Sequence, residues 1–246
     1  MEVLGIDIGG TGIKGAPVDT DKGELMTERH RIPTPQPATP EAVIETAARI
    51  IEFFDWSGPI CCGFPAVIQH GVVRTAANID DGWIDLNVEK LFRKTTGHDA
   101  RFLNDADAAG LAEMSFGAGK GHKGLVAMVT FGTGIGTALF TNRHLVPNTE
   151  LGHIEIDGVD GELMASSRVR EKEELSWKKW GKRVDTYLSR LEALIWPDLI
   201  IIGGSASKKH DRFFEYLDLN AEILPAELRN NAGIIGAAMA ACSDDF

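Results

Sequence analysis

Two short stretches rich in glycine and threonine have the composition to hold phosphate. The first, Gly9-Gly10-Thr11-Gly12-Ile13-Lys14-Gly15, contains the G-x-G-x-x-G spacing of a dinucleotide-binding turn. Such a turn feeds straight into a helix, whose N-terminus receives the pyrophosphate. Here Ala16-Pro17-Val18-Asp19 follows and reads as strand, so a dinucleotide site is rejected. What remains is a strand-to-strand turn whose glycines let backbone N–H groups approach phosphate oxygens, with Lys14 as a point charge. Taken alone it is equally a plain tight turn. The second stretch, Thr130-Phe131-Gly132-Thr133-Gly134-Ile135-Gly136-Thr137, repeats the arrangement between two further strands. One such turn in each half suits a phosphoryl group held between two facing domains. The sequence has no G-x-x-x-x-G-K-[ST] run, which excludes a P-loop nucleotide site.

Asp105 falls between a short strand and a helix, where aspartate is an ordinary N-cap. Asp107 lies nearer the helical pattern and is expected to take the cap, which frees Asp105. Glu150 and His153 are three apart, so one turn presents both on one side, a spacing also common on solvated faces. Gly203-Gly204 leads into Ser205-Ala206-Ser207-Lys208-Lys209-His210-Asp211-Arg212, a basic cluster. Read as a solvated helix start, it sets Lys208 and Lys209 against the helix dipole. A polyphosphate chain calls for such a row of cations, whereas adenine calls for an apolar slot. Lys120, His122 and Lys123 would extend the row.

These residues need a scaffold. Val3 to Asp7, Ile60 to Phe64, Arg101 to Leu103, Leu125 to Phe131, Thr137 to Phe140 and Leu199 to Ile202 read as strands. The turn signal Asp21-Lys22-Gly23 makes the opening a meander, in which Pro17 is awkward because it donates no ladder hydrogen bond. Helices are expected over Glu41 to Trp56, Asp107 to Phe116, Glu173 to Ile195 and Asn231 to Ala241. In the third of these, Trp180, Val184, Tyr187, Leu188, Leu191 and Leu194 share one face. Each half runs strand, glycine turn, strand, then helix and strand, which points to a duplicated α/β unit.

Length and composition agree. The 246 residues are 43% hydrophobic, enough for a real core without staples. A formal net charge of −11 disfavours a nucleic-acid partner, which needs a basic surface. The most apolar stretch, Ala232 to Cys242, is too short to span a bilayer, so no membrane partner is expected. Cys61, Cys62 and Cys242 read as reduced thiols, and the first residues lack the features of a signal peptide; both point to a cytoplasmic protein.

Asp7-Ile8-Gly9-Gly10-Thr11, Asn104-Asp105-Ala106-Asp107, Thr130 to Gly136, Glu150-Leu151-Gly152-His153 and Ile202-Gly203-Gly204 occur in that order. As an ordered set they resemble the ROK (repressor, open reading frame, kinase) family of sugar kinases, within the actin-like ATPase superfamily, from Met1 to about Ala241. The resemblance implies a duplicated ribonuclease-H-like α/β fold of two domains with a cleft between. A small N-terminal domain would take 1–105 plus 230–246, and a larger C-terminal one 106–229. It implies Asp105 as the general base for a sugar hydroxyl, with Asn104, Glu150, His153, Glu162 and Asn78 at the sugar. Gly9, Gly10, Thr11, Gly12, Lys14, Gly132, Thr133, Gly134, Gly203, Gly204, Lys208 and Lys209 would hold phosphate. Mg2+ would be held by Asp7, directly or through water.

One departure stands out. Most of the family carries a zinc-binding cysteine cluster after the equivalent of His153, and Ile154 to Glu174 contains no cysteine, so no zinc is expected. That loss and the Ser-Lys-Lys after the glycine pair resemble the polyphosphate-using branch of the family. The implied reaction moves a phosphoryl group from polyphosphate, and also from ATP, to the 6-hydroxyl of glucose, in a homodimer. The rivals are an ATP-dependent hexose or amino-sugar kinase, a sugar-responsive regulator and an actin-like hydrolase. Regulators carry a helix-turn-helix ahead of the first glycine turn, which here begins at Gly9, and the hydrolase leaves Asn104-Asp105 unexplained.

Overall fold

In the computed structural model, which describes residues 1–77 and 79–242, the chain divides into two units: Met1–Ala112 with the segment from Asn231, and Glu113–Asn230. The first begins with β1 (Glu2–Gly9) and β2 (Gly12–Asp19), paired antiparallel across a tight turn. Two short strands, β3 (Glu24–Leu25) and β4 (His30–Ile32), both pair with β2. Pro17 is tolerated because its carbonyl, and so its nitrogen, faces the gap between those two pieces, where Met26 N–H reaches the Pro17 carbonyl at 2.9 Å.

Helix α1 (Pro40–Phe53) starts with proline at N1 and buries Val43, Ile44, Ala47, Ile50 and Ile51 at helical spacing. Then come β5 (Ile60–Phe64), the small hairpin β6 (Ile68–Gln69) and β7 (Val72–Val73), α2 (Val88–Thr96), β8 (Arg101–Asn104) and α3 (Asp105–Phe116). β5 runs parallel to β1 and β8 parallel to β5, giving the order β3-β2-β1-β5-β8.

The second unit repeats that plan. β9 (Leu125–Phe131) and β10 (Ile135–Thr141) form the antiparallel pair, and β11 (His144–Val146) adds on the outside. A two-stranded ribbon, β12 (Glu155–Ile156) and β13 (Val159–Asp160), precedes the short helices α4 (Gly161–Ala165) and α5 (Ser167–Lys172). After α6 (Trp177–Ile195), β14 (Leu199–Gly204) runs parallel to β9 and β15 (Glu222–Pro225) parallel to β14, so the order is β11-β10-β9-β14-β15. The long helix begins at Trp177, not Glu173, because Ser176 caps it on Lys179 N–H. Its inward face is as expected except for Leu194, which is half exposed.

Each unit has its own core. One gathers Leu4, Ile6, Phe64, Trp83, Phe92 and Phe102, and the other Phe131, Trp180, Tyr187, Leu188, Ile200 and Phe213. In the second unit the fully buried Glu113 carboxylate accepts three backbone N–H groups, from Ala118, Glu227 and Leu228, at 2.7–3.1 Å. A last helix, α7 (Ala232–Met239), returns to the first unit and packs on β1 and β5. Among the described residues no helix is long and apolar enough to cross a membrane.

Candidate active site

Register places the first set of polar groups. Asp7 pairs with Lys14 across β1–β2, and Lys14 with Arg31 across β2–β4, so the three stand in a row beside the Gly10-Thr11 turn. Lys14 Nζ lies 2.7 Å from Asp7 Oδ2, and both side chains are largely shielded from water. A side chain at Gly233, in the first turn of α7, would strike the Asp7 carboxyl, so glycine there makes room for it. Arg31, which sequence reasoning left in an ordinary strand, donates to the Thr11 carbonyl at 2.8 Å and pins the turn. Only strand register reveals it.

β8 delivers Asn104 and Asp105. The Asn104 side-chain oxygen accepts the backbone N–H groups of Ala106 (2.8 Å) and Asp107 (3.1 Å), so Asn104 is the helix cap and α3 begins at Asp105. The expected cap, Asp107, is a buried residue within the first turn of the helix. Asn104 also donates to the Ala66 carbonyl at 3.3 Å. Its acceptor is therefore used, and one amide hydrogen remains to offer a ligand. Asp105 stands half-buried in the first turn, where the helix dipole favours its carboxylate.

The second glycine turn organises the other polar set. Ile135 N–H donates to Glu162 Oε2 at 2.9 Å, which ties α4 to the turn. Gly132 is unusual: a Cβ there would touch nothing within 4 Å, and its φ lies outside the left-handed range. Neither a close neighbour nor a left-handed backbone requires glycine at this position. Leu151 N–H donates to the Thr137 hydroxyl and the Tyr187 hydroxyl donates to the Leu151 carbonyl, both at 3.1 Å, fastening the segment with Glu150 and His153 to β10 and α6.

His153 Nδ1 is 2.8 Å from Asp160 Oδ2, and Nε2 is 3.8 Å from Glu150 Oε2. Asp160 Oδ1 accepts the Glu162 N–H at 2.8 Å, so one carboxylate fixes both His153 and the helix bearing Glu162. Asp160 went unnoticed in the sequence, although an Asp two residues before Glu162 fits an N-cap signal. Partial burial alone would lower the His153 pKa, but the Asp160 hydrogen bond and the charges of Asp160, Glu162 and Glu150 outweigh it, so the net shift is upward. Desolvation, with a smaller push from Glu162, raises Glu150. The structure thus brings Glu150, His153 and Glu162 together in the second unit; Asn78 lies outside the described residues.

β14 ends on Gly203-Gly204 beside Phe131. Gly204 has φ +73°, and a Cβ would strike the Phe131 carbonyl, so glycine is required twice over. The basic residues after it do not open an α-helix. Ser205–Arg212 is a 3-10 stretch broken at Lys209, so the dipole argument does not apply, and Lys208 and Lys209 are exposed. Lys120, His122 and Lys123 do not continue that row. They precede β9, whereas the glycine turn follows it, and the six intervening steps of strand amount to about 20 Å.

Two units with the same 3-2-1-4-5 mixed sheet define a duplicated ribonuclease-H-like fold of the actin-like ATPase type. The chain belongs to the ROK family, whose sequence pattern matches residues 3–166. It is 49% identical over 242 residues to a polyphosphate glucokinase of Mycobacterium tuberculosis, covering 98% of this chain and 91% of that one. A crystal structure of an inorganic polyphosphate/ATP-glucomannokinase from Arthrobacter sp. strain KM superposes with a TM-score of 0.95 at 48% identity, covering 98% of each chain. A ROK glucokinase from Streptomyces griseus, solved with glucose and AMPPNP, shares the fold at a TM-score of 0.83 and 22% identity, over 97% of this chain and 98% of that one.

Proposed function

We propose that this chain is a polyphosphate-dependent glucokinase that moves a terminal phosphoryl group to the 6-hydroxyl of glucose and also accepts ATP as donor. The observation that carries the reading is the 49% identity to a polyphosphate glucokinase over 98% of the chain. A cytoplasmic homodimer is part of the same reading.

Asp105 accepts the proton of the 6-hydroxyl as that oxygen forms a bond to the terminal phosphorus. The bond from phosphorus to the bridging oxygen breaks, and the shortened chain leaves with the electron pair. Positioning and charge stabilisation supply most of the acceleration, so only modest help from the base is needed. Asn104 offers its remaining N–H to a sugar hydroxyl. Glu150, His153 and Glu162 bond the other hydroxyls, held in place by Asp160 and the turn backbone. Both glycine turns, Gly203-Gly204, Lys14, Lys208 and Lys209 take the phosphates, with Arg31 bracing the first turn. Among the described residues no cluster of three or more His, Cys, Asp or Glu forms a metal cage. Mg2+ does not need one: it is commonly held by one or two carboxylates with substrate phosphates and water, which Asp7 fits. Bound there, Mg2+ would neutralise charge on the phosphate oxygens.

Asp105→Asn tests the base. Turnover should fall by about 10²–10⁴-fold while glucose binding persists. Near-wild-type turnover would remove Asp105 from the role.

A further inference from the structure

Two basic segments of the second unit leave its glycine turn and meet again at one indole. The Ser167 and Ser205 hydroxyls both donate to the Phe131 carbonyl, at 3.1 and 3.3 Å. Helix α5 and the 3-10 stretch Ser205–Arg212 therefore start from a single backbone atom. Arg168 adds its N–H to the Gly132 carbonyl at 3.1 Å. Further along, the Arg170 guanidinium carbon lies 4.1 Å from the centroid of the Trp177 ring, and that of Arg212 lies 5.8 Å from it. Trp177 is held from behind by two fully buried rings, near-parallel to Phe213 and edge-on to Trp180.

Glu171, Glu173 and Glu174 are close in sequence, yet among the described residues neither arginine forms an ion pair with a carboxylate. Glu173 pairs instead with Arg183. In a chain of net charge −11, two converging arginines that no carboxylate pairs with are suited to an anionic ligand. Arg170 spends one N–H on the Leu175 carbonyl at 3.4 Å, which leaves the rest of its guanidinium, and that of Arg212, with the fork geometry that matches phosphate oxygens. Adenosine would compete for the same ring face, which Arg170 already covers.

We propose that Arg170, Arg212 and Trp177 form a second polyphosphate subsite, which holds the chain beyond the phosphates bound at the glycine turn. The inference rests on the reading that polyphosphate is the donor. Through this subsite a long chain gains contacts that tripolyphosphate and ATP cannot reach, so chain length sets affinity.

The test measures binding of long-chain polyphosphate and of tripolyphosphate across a salt series, for wild type and for Arg170→Gln with Arg212→Gln. Removing two phosphate contacts should flatten the slope of log K against log salt by about 1.4, at roughly 0.7 per contact for a single-stranded polyanion. Long-chain affinity should fall about tenfold and tripolyphosphate affinity less than about twofold. Arg170→Lys with Arg212→Lys should restore the slope, since charge is kept. Equal losses for both ligands would mean that the arginines only support the fold, and an unchanged slope would remove them from the ligand; either overturns the subsite. Wild-type protein that transfers phosphate from no polyphosphate would defeat the underlying reading. A wild type active with long chains, and a double variant with the same chain-length profile, would defeat the subsite alone.

Discussion

Removing the charge of Asp160 separates its two duties. Its Oδ2 holds His153, and its Oδ1 caps α4 through Glu162 N–H. Asp160→Asn keeps a capping oxygen but loses the charge, whereas Asp160→Ala loses both. The His153 and Asp160 side chains are 36% and 32% exposed, so their interaction is discounted to that of a screened surface pair, about 0.2–1 kcal/mol. The cap is worth about 1 kcal/mol more. Because the folded state raises the His153 pKa, the pair contributes fully below the unfolded value near 6.5 and fades as pH rises through the folded one. In a chain of this size 1 kcal/mol is about 2–4 °C. Asp160→Asn should therefore lower Tm by about 0.4–4 °C at pH near 5.5 and by almost nothing well above the folded pKa. Asp160→Ala should add about 2–4 °C at every pH. Thermal unfolding across pH measures the first quantity, and NMR titration of His153 should show its pKa falling in the Asn variant. An unmoved His153 titration, or an Asn deficit that grows with pH, would refute the reasoning.

Two further outcomes are expected. Glu113→Ala leaves three backbone N–H groups without their carboxylate, at about 1–3 kcal/mol each where water does not reach them, so urea unfolding should show a loss of at least about 3 kcal/mol; a loss below about 1 kcal/mol contradicts the buried cradle. Lys208→Ala with Lys209→Ala should raise KM for polyphosphate more than KM for ATP and weaken the salt dependence of the former; equal loss with both donors would make the pair structural.

The central strands were legible as apolar runs, with β1, β9 and β14 closed by glycine, a local signal in both halves. Helix starts were less so. Asn104, Asp105 and Asp107 are all acceptable caps by type, and only the backbone geometry shows Asn104 taking both N–H groups. The start of α6 reads as Glu173 in sequence, whereas the single-residue N-cap Ser176 sets it at Trp177. Non-local placement was not legible at all. Lys120 and Lys208 look alike in sequence, yet they flank opposite ends of β9 and β14. Arg31 and Asp160 act through cross-strand register and a cap, so neither belongs to a motif.

The most direct test supplies purified enzyme and glucose with ATP, GTP, short polyphosphate and long polyphosphate in turn, and follows glucose 6-phosphate by phosphorus NMR. Polyphosphate should support turnover, with the chain shortened from its end by one phosphate per sugar. Turnover with nucleotides only, whatever the polyphosphate length, would contradict the account.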